Sequence, residues 1–159
     1  GLTVHHKLSW NPHTDIVCKK ANSTQAFIQR NLHACPQAIK AQCFSTFVRP
    51  QLEYATSAWN PHTKQNVAKL ESVQRKGARF VTGDWRRTSS VSAMMTQLGW
   101  ETLQVRRARM RLCMLFNIIH GRVATSPGNY LIPSPSPYST RGATIKYVVP
   151  YARILAYKH

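Results

Sequence analysis

The side chains able to do acid–base or metal chemistry are few and scattered. The 159-residue sequence holds 5 carboxylates, Asp15, Glu53, Glu71, Asp84 and Glu101, and no two are neighbours. A two-metal polymerase or nuclease centre needs clustered carboxylates, so none is expected. The 4 cysteines, Cys18, Cys35, Cys43 and Cys113, form no C-x-x-C pair, and neither they nor the 7 histidines show zinc-ligand spacing. No G-x-S-x-G, P-loop or H-E-x-x-H word occurs. A Cys–His nucleophile stays open, although three of the cysteines lie in apolar helical stretches and read as buried free thiols. These features predict a chain with no cofactor and no catalytic centre of its own, in a reducing compartment, nuclear or cytoplasmic.

The basic residues carry the positive evidence. Lys and Arg number 22 against those 5 acids, a formal net charge of +17. A folded domain so charged repels itself unless a polyanion neutralises it. Nucleic acid, bound through its phosphates with release of counterions, is the first expectation. A membrane surface is weaker, because the cations are spread over several helices, and no apolar run is long enough to span a bilayer. A purely solubilising surface would mix both signs.

The elements that must position these cations read as helices. Asn11 is expected to cap a helix with Pro12 at its first position, running to about Leu32, with Ile16, Val17, Ala21, Thr24, Phe27 and Ile28 inward. Pro36 opens a second, with Ile39, Cys43, Phe44, Phe47 and Val48 inward, and Pro50 should kink or break it. The word Trp10-Asn11-Pro12-His13-Thr14 recurs as Trp59-Asn60-Pro61-His62-Thr63. Both copies read as the same helix start, Asn capping and Trp packing on the first turn, with structural roles for His13 and His62. A third helix is predicted from about Thr63 to Thr82, closed by Gly83 and Asp84. Ser89 or Ser90 caps a short helix to Leu98. A long one runs from about Glu101 to His120, its arginine-rich first half followed by a stretch apolar nearly all round and expected to be packed on more than one side. Beyond Arg122 the chain reads as mostly irregular, with 5 of its 9 prolines between Pro127 and Pro150. Ile145 to Val149 is a short strand candidate with no evident partner.

On the third helix, at about 100° per residue, Val67, Leu70, Val73, Gly77, Phe80 and Val81 share one side. Lys64, Lys69, Arg75, Lys76 and Arg79 share the other, with Glu71 near the border. Such a helix can follow a phosphate backbone while its apolar side holds the domain; the competing reading is a solvated face. Trp85, Arg86 and Arg87 form a basic aromatic corner, suited to stacking on a base or to anchoring a loop. Arg106, Arg107, Arg109 and Arg111 point several ways around their helix, some toward nucleic acid and some toward Glu101 or neighbouring helix ends.

The order of words from Phe47 to Trp100 resembles the reverse transcriptases of non-LTR (LINE-type) retrotransposons. The likeness rests on Arg49-Pro50, Leu52-Glu53-Tyr54-Ala55, Trp59-Asn60-Pro61-His62, Leu70-Glu71-Ser72-Val73-Gln74-Arg75, Arg79-Phe80-Val81-Thr82 and Leu98-Gly99-Trp100. It covers roughly residues 8–122. In that family the region follows the palm. The resemblance implies that the helices to Thr82 form a thumb that grips template–primer duplex, and that those after Ser89 form a C-terminal extension. The family's catalytic aspartates, including the F/Y-x-D-D word, have no counterpart here and would lie upstream of Gly1, so the chain reads as a fragment of a longer polymerase.

Together these readings predict an all-α chain: a three-helix thumb-like bundle over 1–83, a helical extension over 84–122 and an irregular Pro/Ser-rich tail over 123–159. The expected function is sequence-independent binding of an RNA–DNA hybrid or DNA, through Lys64, Lys69, Arg75, Lys76, Arg79, Arg86, Arg87, Arg106, Arg107 and Arg109. The parent's palm domain is a further partner, and no membrane is. The alternatives are a protein-interaction scaffold, whose apolar surface once met the palm, an inactive remnant, and a basic helical module unrelated to polymerases.

Overall fold

The computed structural model describes residues 1–6, 9–129, 131–134 and 147–148. The fold is all-α, as the periodicity predicts. The helices are α1 (Asn11–Asn31), α2 (Gln37–Cys43), α3 (Arg49–Glu53), α4 (Lys64–Thr82), α5 (Val91–Gln97) and α6 (Leu103–Ile119). A π-helical segment, Phe44–Val48, joins α2 to α3. The residues divide into two compact units, Gly1–Arg111 and Leu112–His159. The first unit extends well past residue 83, because Leu103 lies in the same core as α1 and α4, with Leu98 and Trp100 packed against it.

That core joins Cys18, Ala21 and Ile28 of α1 to Phe44, Val48 and Leu52, and to Leu70, Val73, Phe80 and Val81 of α4. The buried face of α4 is the one its apolar spacing predicts, apart from Val67, which is half-buried. Thr63 caps the helix, its hydroxyl accepting from the Asn66 N–H at 3.3 Å. Gly83 closes it at φ 71°, a left-handed conformation that costs glycine little. Ser90 caps α5 in the same way, accepting from the Ala93 N–H.

α1 is turned differently from the expected orientation. Its buried stripe is Thr14, Cys18, Ala21, Gln25 and Ile28, together with His13. These residues alternate spacings of four and three, and two are polar, so a reading by hydropathy passes over them. Ile16 and Phe27, expected inside, are exposed. In the second helical stretch Ile39 and Phe47 are likewise exposed, while Phe44 and Val48 are buried. Pro50 does not break this stretch. The Arg49 N–H reaches back to the Phe44 carbonyl, and the wider π turn accommodates a proline that has no N–H to give. It also brings residues four apart into line, which keeps Phe44, Val48 and Leu52 inward and turns Phe47 out.

The repeated pentapeptide does not start two helices alike. Asn11 is the first residue of α1, preceded by Trp10 with no side-chain cap; the Asn11 Oδ1 instead accepts from Asn66 Nδ2 at 2.7 Å. In the second copy, residues 59–63 lie outside the helix and Thr63, not Asn60, is the cap. The copies meet instead. The His13 ring stands edge-on to Trp59 at 4.4 Å, and Trp10 lies 6.1 Å from Trp59.

His13 is buried, and its Nδ1 accepts from the Thr3 N–H at 3.3 Å. Burial, then the positive N-terminus and Arg107, lower its pKa from the ordinary 6.5. The folded chain therefore holds the neutral ring, and stability is complete above about pH 6.5. Below that the unfolded chain takes up a proton that the folded chain refuses, at up to about 1.4 kcal/mol per pH unit. The urea midpoint should fall between pH 7 and pH 5, and fall less in His13→Gln. Equal slopes in both proteins would remove His13 from this account.

In the second unit, α6 ends before Gly121. A 3-10 turn follows at Pro127–Asn129, and among the described residues an antiparallel bridge pairs Pro133 with Tyr147. The strand candidate 145–149 thus finds a partner at Tyr147 and Val148, the latter donating to the Ile132 carbonyl at 2.8 Å; its other residues lie outside those described. The apolar half of α6 is not packed on several sides: Leu112, Cys113, Leu115 and Phe116 are exposed.

Candidate nucleic-acid interface

α4 places its cations over an arc of about 140°, at about 100° per residue, and the arc divides by what surrounds it. Lys64 and Arg75, at one edge, line a cleft of about 560 Å³ between α4, α5 and the approach to α6. Ser92 and Thr96 of α5 form its other wall, and His62 lies at the same mouth. Glu71, also lining it, is buried and accepts from the Gln104 N–H at 2.9 Å. Its charge is thereby committed to the N-terminus of α6, where a carboxylate meets unpaired N–H groups. The cleft thus carries two exposed cations on its α4 wall, while its one acid is tied down.

The other cations of α4 are placed differently. Lys69 reaches Asp15 of α1 at 2.5 Å, a surface pair of small energetic weight. Lys76 is exposed. Its charge and that of Lys69 act on Cys18, yet burial first, and then Asp15, push that thiol up to about 11. Arg79 curls under the loop that follows α4, donating to the carbonyls of Asp84 at 3.3 Å and Arg86 at 2.9 Å. It acts as a fastener for that loop.

In the corner after α4, Arg86 grips Asp84 through two bonds of 3.1 and 2.9 Å. Those bonds hold the Asp84 carboxyl well below the usual range. Arg87 is exposed with no ion pair among the described residues, and Trp85 is exposed rather than anchored in the core. An aromatic side chain and a cation two residues apart in sequence are thus both exposed.

The arginines of α6 serve the fold. Arg106 pairs with Glu53, one bond measuring 3.1 Å, and Arg109 pairs with Glu101. Arg107, expected on the binding surface, is only 2% exposed. Its guanidinium donates to the Leu52 carbonyl at 2.6 Å and the Trp59 carbonyl at 2.9 Å, and lies 4.2 Å over the Trp59 ring. Burial lowers its pKa to about 10, so it remains charged at neutral pH. The reason for its placement is local: the turn after α3 leaves carbonyls pointing inward, and a long cation from α6 satisfies them. Nothing in the run of arginines separates Arg107 from its neighbours.

Among the described residues, then, Lys64, Arg75, Lys76 and Arg87 are exposed and free of ion pairs. Lys69, Arg86, Arg106 and Arg109 are paired, and Arg79 and Arg107 are bound to backbone carbonyls. Sequence reasoning missed the cleft wall at Ser92 and Thr96, whose spacing of four on a short capped helix was the available signal. The exposure of Cys113 also departs from the buried reading. No group of three His, Cys, Asp or Glu side chains gathers among the described residues, and no helix among them is long and apolar enough to cross a membrane. Comparison with protein-family models, with curated proteins and with solved structures finds no match to this chain.

Proposed function

We propose that this chain holds the sugar–phosphate backbone of an RNA–DNA hybrid or of DNA, as the thumb region of a LINE-type reverse transcriptase whose catalytic aspartates lie elsewhere. The observation that supports this reading is uncompensated charge. Each of the 5 carboxylates is committed within the fold, so Lys64, Arg75, Lys76 and Arg87 keep their full attraction for phosphate. Contacts of this kind fix position without reading sequence. Trp85, two residues before Arg87, adds a stacking surface for an unpaired base. The work is nuclear or cytoplasmic, next to the parent's palm.

Anisotropy of a labelled RNA–DNA hybrid over a salt series tests the reading. Affinity should fall steeply with salt, with a slope of roughly 0.9 per phosphate contacted in a log–log plot. Lys64→Glu with Arg75→Glu should weaken binding about a hundredfold and flatten the slope by about two contacts. Lys76→Glu should weaken it about tenfold. Undetectable binding, or binding indifferent to the Lys64/Arg75 pair, would overturn the assignment. Salt-insensitive self-association would favour the scaffold reading instead.

A further inference from the structure

The cleft between α4 and α5 has charge at the ends of its α4 wall and none to spare in the middle. That wall is made by Lys64, Val67, Ala68, Glu71 and Arg75. Their spacing keeps them on one face of the helix over about three turns. The backbone positions of the two cations are therefore about 16 Å apart along the axis, at 1.5 Å per residue. Between them lie Val67, half-buried, and Ala68, exposed. Glu71 is also there, its carboxylate bonded to the Gln104 N–H. Met95, 7% exposed, and Trp100, half-buried, add further apolar lining. The volume of about 560 Å³ is within the range of sites that enclose a small organic group.

This layout distinguishes a paired strand from an unpaired nucleotide. A paired strand keeps its bases turned toward its complement and its phosphates outward. Laid along this wall, it would set at least one phosphate against Val67, Ala68 and the Glu71 carboxylate, an apolar and like-charged contact that costs binding energy. A base turned into the cleft brings no charge there. It gains contact with Met95 and Trp100 and leaves the phosphates on either side of it to Lys64 and Arg75.

We propose that this cleft takes one unpaired nucleotide of the bound nucleic acid, with its base against Met95 and Trp100 and its flanking phosphates at Lys64 and Arg75. The inference rests on the phosphate reading of the same two cations and adds what lies between them. Stacking and apolar contact do not tell the bases apart, so the site selects the unpaired state and not a sequence.

The test uses the full chain and three labelled RNA–DNA hybrids of one sequence. One is fully paired, one carries a single unpaired 2-aminopurine nucleotide in the DNA strand, and one carries it in the RNA strand. At least one of the two unpaired hybrids should bind about tenfold tighter than the paired one, and its 2-aminopurine should be shielded from quenching by acrylamide. The hybrid that gains identifies the strand that supplies the nucleotide. Ala68→Trp, which fills the cleft from α4, should remove both effects and leave affinity for the paired hybrid unchanged. Thr96→Trp, which fills it from α5, should do the same; both positions are exposed, so the melting temperature should hold. Equal affinity for all three hybrids, with the steep salt dependence kept, would overturn this inference and leave the phosphate reading standing. So would a preference for an unpaired hybrid that survives both filled variants. Failure of all three hybrids to bind would overturn both readings.

Discussion

Replacing Arg107 by methionine should lower the unfolding free energy by about 3 kcal/mol. Methionine has similar reach and no donors. The Leu52 and Trp59 carbonyls, which now accept at 2.6 and 2.9 Å, would be left buried without partners at about 1–3 kcal/mol each. Removing a buried charge returns part of that loss. Arg107→Lys should also destabilise, because one ammonium cannot serve both carbonyls and lie flat on Trp59. Urea denaturation of the two variants measures this directly. A loss of 3 kcal/mol is a large share of the roughly 5–15 kcal/mol that a domain usually has, so hybrid binding should be measured only on the folded fraction. If the methionine variant proves as stable as the unsubstituted chain, the hydrogen bonds of Arg107 contribute no net stability.

Gly77→Ala should destabilise as well, against the direction that helix propensity predicts. In an exposed helix the change would gain about 1 kcal/mol. At this site the added Cβ would stand 2.7 and 2.8 Å from Cδ2 and Cζ of Phe44, and closer still to Cε2. The ring has little room to retreat. It is buried, stacks on Trp100 at 4.6 Å, and that indole in turn carries the Arg49 guanidinium at 4.8 Å. Overpacking of this kind costs about 1–3 kcal/mol, and the net effect should be a lower melting temperature with the helical signal kept below it. A melting temperature equal to or above the parent's would mean that Phe44 yields freely and that the close approach of α4 to the π turn constrains nothing.

Much of the fold was legible because α4 is strongly patterned: Leu70, Val73, Gly77, Phe80 and Val81 lie inward as their spacing requires, and Thr63 and Gly83 mark its ends. What was not legible has particular causes. The inner stripe of α1 includes Thr14 and Gln25, which no apolar pattern selects. The π turn ahead of Pro50 shifts the phase of its helix, so Phe47 faces out although an α-helical count places it in. Arg107 differs from Arg106 and Arg109 only through the turn it meets, and that turn lies some fifty residues away in sequence. The candidate site was half legible. The basic arc of α4 was visible as composition and spacing, but its division into a cleft edge at Lys64 and Arg75 and a fastener at Arg79 depends on α5 and on the loop at Asp84.

The chain's few acids have an unequal hold on its future. Asp15 links α1 to α4, Glu53 links α3 to α6, Glu71 seats the start of α6, and Asp84 and Glu101 each hold an arginine. A surface lysine can become arginine, or a new one can arise, without loosening anything inside. A lost acid removes a tie and raises the net charge in the same step. Drift in such a sequence is asymmetric: a gained surface cation adds only to the self-repulsion, whereas a lost acid adds to it and breaks a contact as well.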